Sequence, residues 1–252
     1  MIVDWYFDFV SPFAYLQSER LASLPPRVSI RYRPVLFAGI LNANGQKGPA
    51  EIPGKRAFTY RFVVWQARRL GIPIKFPHEH PFNPLPLLRL AIACDCAPDA
   101  VHRIFRFVWR DGRLPDLPIE WAELTHDLGA HDADARIASP EIKEALRRNT
   151  DEAIARGVFG VPTLAIGDEL FWGFDATAMA ADYVLAGCRY EDPEYARVAS
   201  LPVGASRDAR PPKGASAFST CQSLIHTVPA RIRWATLVQR SISRPQTPAA
   251  KP

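Results

Sequence analysis

The run Ile2-Val3-Asp4-Trp5-Tyr6-Phe7-Asp8-Phe9 stops at Ser11-Pro12, and this junction of a dense aromatic segment with an abrupt helix start constrains the fold most. A short run rich in aromatic and branched side chains, bounded by a break, reads as a buried strand. Proline is tolerated in a helix's first turn, where its missing N–H would lack an intrahelical partner anyway. Ser11-Pro12 therefore reads as an N-cap serine with proline at the first helical position. That helix is expected to run to about Ser23. Residues 28–33 alternate as a second strand would, lying beside the first through a crossover helix. The chain thus opens as a βαβ unit.

The middle changes period. Residues 55–70, 84–93, 99–109, 119–128 and 140–156 carry helical spacing or helix punctuation, an all-helical insertion spanning about 38–157. Gly71 and Gly157 suit helix ends, and Ser139-Pro140-Glu141 repeats the cap, proline, early-acid pattern. β character returns at residues 163–166 and 169–172, flanking Gly167-Asp168 as a tight hairpin, and residues 175–185 close the domain as a helix. The order predicts an α/β chain whose domain ends at Gly187. Beyond it, eight prolines interrupt 65 residues, and a largely disordered tail is expected over 188–252.

Charge divides the same way. The formal net charge is +5, of which residues 188–252 hold +6 and residues 1–187 hold −1. The basic residues of the tail are scattered rather than clustered, so neither nucleic acid nor a lipid surface is assigned as a partner. The N-terminus has no basic leader, and no apolar run approaches the roughly 18 residues of a membrane span. A soluble cytoplasmic protein is expected. Cys94 and Cys96 are one residue apart, whereas Cys188 and Cys221 stand alone, so neither a disulfide framework nor zinc spacing is present. His78 and His80 lack a second ligand cluster, and no metal is expected.

A helix N-terminus presents unpaired N–H groups and partial positive charge, and so stabilises an anion. Ser11 sits there, either capping its own helix or donating to a bound anion. Gly160-Val161-Pro162-Thr163 stands at the start of the returning β segment, where proline begins a strand without breaking a ladder.

Together, Ser-Pro after the first strand, a helical insertion, and Gly-Val-Pro-Thr before a hairpin resemble the disulfide-oxidoreductase branch of the thioredoxin superfamily. More narrowly, Asp8 to Leu16, Ile52-Pro53-Gly54-Lys55-Arg56, His80-Pro81-Phe82-Asn83-Pro84 and Trp172-Gly173-Phe174-Asp175 resemble the 2-hydroxychromene-2-carboxylate isomerases and kappa-class glutathione transferases. The resemblance implies a thioredoxin-like fold over residues 1–187 with glutathione as cofactor. Dithiol redox needs Cys-x-x-Cys at the first helix's start, but those positions read Ser11 and Ala14.

By the same resemblance Ser11 is the catalytic residue, holding a glutathione thiolate, and Pro162 is cis with Val161 pairing the tripeptide backbone. Lys55 meets the glycyl carboxylate and Asp175 the γ-glutamyl ammonium, although an aspartate there also suits a helix N-cap. An asparagine before Lys55 corresponds to Asn42, Asn44 or Gln46, with Asn44 preferred. Trp65, Phe82 and Asn83 are candidates for a substrate pocket. The implied activity is isomerisation of a small unsaturated aromatic substrate by reversible thiolate addition, in aromatic catabolism and by a homodimer. The alternatives are a kappa-type transferase or peroxidase, or a non-catalytic thiol-peptide binding module.

Overall fold

The computed structural model describes residues 1–190 and 192–204. The strands are β1 (Ile2–Phe7), β2 (Ser29–Pro34), β3 (Thr163–Ile166) and β4 (Glu169–Trp172). They form a mixed sheet in the order β2-β1-β3-β4, with β1 parallel to β2 and antiparallel to β3. β3 and β4 make the expected hairpin, Ile166 opposite Glu169 with Gly167 at positive φ.

The helices are α1 (Pro12–Ser18), α2 (Phe37–Ala43), α3 (Pro53–Leu70), α4 (Leu85–Ala93), α5 (Pro98–Trp109), α6 (Pro118–Asp127), α7 (Ala133–Ala138), α8 (Pro140–Ala155), α9 (Thr177–Leu185) and α10 (Pro193–Ala199). The helical insertion therefore lies between β2 and β3, as expected, and Ser139 caps α8 through Ile142 N. Two short helices, α2 and α7, lie beyond what the periodicity announced, since six or seven residues are too few to show a repeat. α1 also stops at Ser18, and a separate 3-10 turn covers Leu21–Ser23.

Residues 1–201 form one compact unit, so it runs past Gly187. It includes α10, where Asp192 caps and Pro193 takes the first helical position. Of the second unit, 202–252, the structure describes only 202–204, and the expected disorder of the rest of the tail lies outside the described residues.

The core forms where the sheet meets the helices. Trp5, Phe7 and Phe9 alternate toward Phe105 of α5, with Trp5 and Phe7 centroids 4.5 Å apart and Phe9 and Phe105 4.6 Å apart. Phe82 joins this core. It is thus a packing residue rather than the pocket residue proposed for it, while Asn83 is exposed and its Oδ1 accepts from Leu85 N.

Candidate functional site

The site begins where β1 ends. Ser11 is buried and extended at the mouth of α1, and its Oγ accepts from Ala14 N at 3.2 Å. The cap uses a lone pair and leaves the hydroxyl proton to donate elsewhere. Pro12 has no N–H, and Phe13's N–H, one residue on, has no intrahelical acceptor at a helix start.

The turn leading to Ser11 is gripped from several sides. Asp8, fully buried, accepts from Val10 N at 3.0 Å and from Phe37 N of α2 at 2.9 Å. Burial pushes its carboxyl up to about 7, against the opposing pull of those two bonds. Trp109 Nε1 donates to Phe9 O at 2.8 Å. His80 Nε2 lies 2.8 Å from Val10 O, and because a carbonyl only accepts, Nε2 carries the hydrogen. Nδ1 then accepts from the Tyr60 hydroxyl at 2.6 Å, the neutral form that burial favours by lowering the ring's pKa. His78 instead faces Asp116 at 3.2 Å, so the two histidines diverge. Among the described residues no cluster of three or more potential metal ligands forms.

Opposite the mouth, the Val161–Pro162 peptide is cis. Gly173 N donates to Pro162 O at 2.8 Å, which ties the loop after β4 to the start of β3. Two glycines permit this packing. A Cβ on Gly160 would fall 2.4 Å from Trp172 Nε1, and one on Gly173, at φ +96°, would fall 2.5 Å from Asp175 Oδ1. Among the described residues neither the N–H nor the C=O of Val161 has a backbone partner, so this peptide is open to an extended chain.

A cavity of about 220 Å³ brings Val161, Pro162 and Asp175 together with Phe13, Phe62 and Trp172. Ser11 does not line it, although Phe13, two residues further along α1, does. Lys55 does not line it and is exposed in the first turn of α3. Neither does Asn44, the exposed C-cap residue of α2, whose Nδ2 donates to Ile40 O at 2.9 Å. Asp175 is not a helix cap, because α9 starts two residues later behind Ala176. Trp65 lies outside the cavity, half exposed on α3.

Sequence reasoning gave no role to Gln17. It is fully buried on α1, accepts from Trp5 Nε1 at 2.7 Å, and donates to Thr177 Oγ1 at 2.8 Å and Gly173 O at 3.1 Å. The available signal was a lone amide directly after the apolar stretch Phe13 to Leu16. Cys94 and Cys96 lie between α4 and α5, away from the mouth, and burial pushes their thiols up, Cys96 to about 11.

The sequence profile of the DSBA-like thioredoxin domain matches residues 2–184. A 2-hydroxychromene-2-carboxylate isomerase of Pseudomonas putida is 34% identical over 196 residues, 75% of this chain and 97% of the relative. Glutathione S-transferase kappa 2 of Caenorhabditis elegans is 27% identical over 205 residues, covering 73% and 91%. The solved structure of a 2-hydroxychromene-2-carboxylate isomerase superposes with a TM-score of 0.69 at 30% identity, over 79% of this chain and 99% of that one. With the mouth of α1, the cis-proline strip and the helical insertion in place, the chain belongs to the DsbA-like thioredoxin-domain family, within its 2-hydroxychromene-2-carboxylate isomerase branch.

Proposed function

We propose that this chain is a glutathione-dependent isomerase of the 2-hydroxychromene-2-carboxylate type. One observation carries the reading: a serine, not a cysteine, stands at the mouth of α1, and Phe13 of the same helix shares a cavity with the unpaired peptide at cis-Pro162. Such a site has the donors to hold a sulfur anion and lacks one of its own. Bound glutathione would supply a thiolate nucleophile for reversible addition to a conjugated double bond, with none consumed overall.

The chain's own residues set the conditions for that chemistry. In this reading Ser11's hydroxyl and the Phe13 N–H donate to the anion, and the partial positive charge of the helix start adds to them. Val161 offers its N–H and C=O to the tripeptide backbone, and Asp175 a carboxylate to its ammonium. Lys55 lies seven residues before Phe62 on α3, a rise of about 10 Å, and an extended tripeptide spans about 10 Å. Such a ligand held along α3 from the Phe62 end of the cavity is long enough to bring a carboxylate toward Lys55, with Asn44 as a further polar contact. Phe13, Phe62 and Trp172 make part of the cavity wall apolar, which suits an aromatic second substrate.

Calorimetry with reduced glutathione tests the binding half, and absence of binding ends the proposal. Ser11→Ala is expected to lower turnover at least about tenfold, from the loss of roughly 1.4 kcal/mol of thiolate stabilisation. The kappa-type relative favours a second reading, transferase activity at the same site. Free glutathione measured after turnover separates them, since it is unchanged by isomerisation and depleted by transfer.

A further inference from the structure

α3 meets the cavity at two places one turn apart. Phe62 lines it, and so does Gln66, four residues on and therefore on nearly the same side of the helix. Phe62 also stacks on Phe58 at 5.8 Å and on Trp65 at 5.6 Å, two rings of the exposed face of α3. Gln66 is half-buried, between that face and the buried Val63 and Ala67. A glutamine amide carries two N–H donors and a carbonyl acceptor. Gln17 uses them within the fold, whereas the Gln66 side chain makes no hydrogen bond among the described residues.

Among the described residues Asp175 is the sole charged residue of the cavity wall, and it has no ion pair. The side-chain donors of the wall are the Gln66 amide and the Trp172 indole. The indole nitrogen packs against Gly160, where a Cβ would fall 2.4 Å from it. An ammonium paired with Asp175 brings along whatever its own carbon carries. In a γ-glutamyl peptide that carbon also bears a free carboxylate, because the peptide bond is made through the side chain. Two carboxylates in one small cavity repel each other unless a donor answers the second. No cation lines the wall, which leaves that task to the uncharged amide of Gln66.

We infer that Gln66 is the residue that selects a γ-glutamyl thiol, its amide donating to the α-carboxylate of the γ-glutamyl end while Asp175 holds the ammonium. The inference rests on the glutathione reading of this site and adds a specificity residue to it. The order of groups along α3 agrees. Lys55 lies eleven residues before Gln66, a rise of about 16 Å. An extended tripeptide of about 10 Å, together with the reach of the lysine side chain, covers that span. With the glycyl carboxylate toward Lys55, the γ-glutamyl head arrives at Gln66 and Asp175. A ligand laid the other way would set its glycyl carboxylate against Asp175, anion against anion.

The test is calorimetry on the full chain with glutathione and two analogues that keep its cysteinylglycine. Glutaryl-cysteinylglycine retains the carboxylate and lacks the ammonium, and 4-aminobutanoyl-cysteinylglycine retains the ammonium and lacks the carboxylate. Gln66→Leu is expected to weaken glutathione and the glutaryl analogue at least about fivefold and to leave the aminobutanoyl analogue unchanged. Gln66→Glu, nearly the same size, should weaken the first two further and tighten the third, since it replaces a donor with a second anion. A side chain that merely fills space would not produce opposite signs. Gln66 makes no hydrogen bond in the fold, so neither variant removes one. Equal losses for all three ligands, or wild-type glutathione affinity in Gln66→Leu, overturn the inference and leave the glutathione reading standing. A wild type that binds no glutathione removes both.

Discussion

The mouth of α1 and the outer face of α3 share the residue Phe62 as a boundary and are built on opposite principles. At the mouth, Asp8, His80 and Trp109 hold the peptides before Ser11, and Gln17 ties α1 to the loop that carries Asp175. On α3, cations stand without acids and rings without cover. The closed network fixes geometry in advance, so a ligand there meets groups already aimed. The open face stabilises little in the fold and keeps its interaction energy for whatever arrives. A buried polar group is costly when left unpaired, whereas an exposed one is nearly neutral, so the two regions should answer mutation on different scales.

The largest effect belongs to Asp8. Its carboxyl is raised from an ordinary value of 3.8 to about 7, so the folded state holds a proton that the unfolded state releases. The stability this contributes is full below about pH 4 and is lost as pH rises through 7. A shift of about three units corresponds to on the order of 4 kcal/mol. Asp4 and Glu19, whose carboxyls are held below their ordinary values, act in the opposite sense at lower pH. The difference in urea stability between wild type and Asp8→Asn, followed from pH 4.5 to 8, isolates the Asp8 contribution. A difference that does not vary with pH would show that the mouth closes without this proton.

Next comes Gln17→Leu, which leaves buried Trp5 Nε1 without its acceptor and frees Gly173 O and Thr177 Oγ1. A cost of about 2 to 3 kcal/mol is expected in urea denaturation, with weaker glutathione binding as the Asp175 loop loosens. A loss below about 0.5 kcal/mol would mean that the amide merely fills space.

What could be read in advance follows the same divide. The βαβ opening, the hairpin and the cap at Ser11 are local, and each shows in a few neighbouring residues: Ser11-Pro12, Gly167-Asp168, Val161-Pro162. Asp8, Gln17 and His80 were in view without a role, because their partners lie 29, 156 and 70 residues away. No local period encodes such pairings. Phe82 and Trp65 show the limit for aromatics. Both were candidates for the pocket, yet one is in the core and the other faces solvent, and only packing separates them.

The smallest effects lie on the helix surfaces, where the sign rather than the size separates α3 from α8. Arg147 of α8 sits between Glu144 and Asp151 with all three side chains exposed, so Arg147→Gln should cost about 0.3 to 0.5 kcal/mol. Lys55 lies in the first turn of α3, where the helix end is already positive and no acid answers it. Removing that charge with Lys55→Gln should stabilise the fold by about 0.3 to 1 kcal/mol while weakening glutathione binding, an opposition that a purely structural lysine would not produce. Thermal denaturation and calorimetry on the two variants measure both quantities. If Lys55→Gln loses stability and keeps its affinity, α3 is an ordinary solvated helix and its contrast with the mouth disappears.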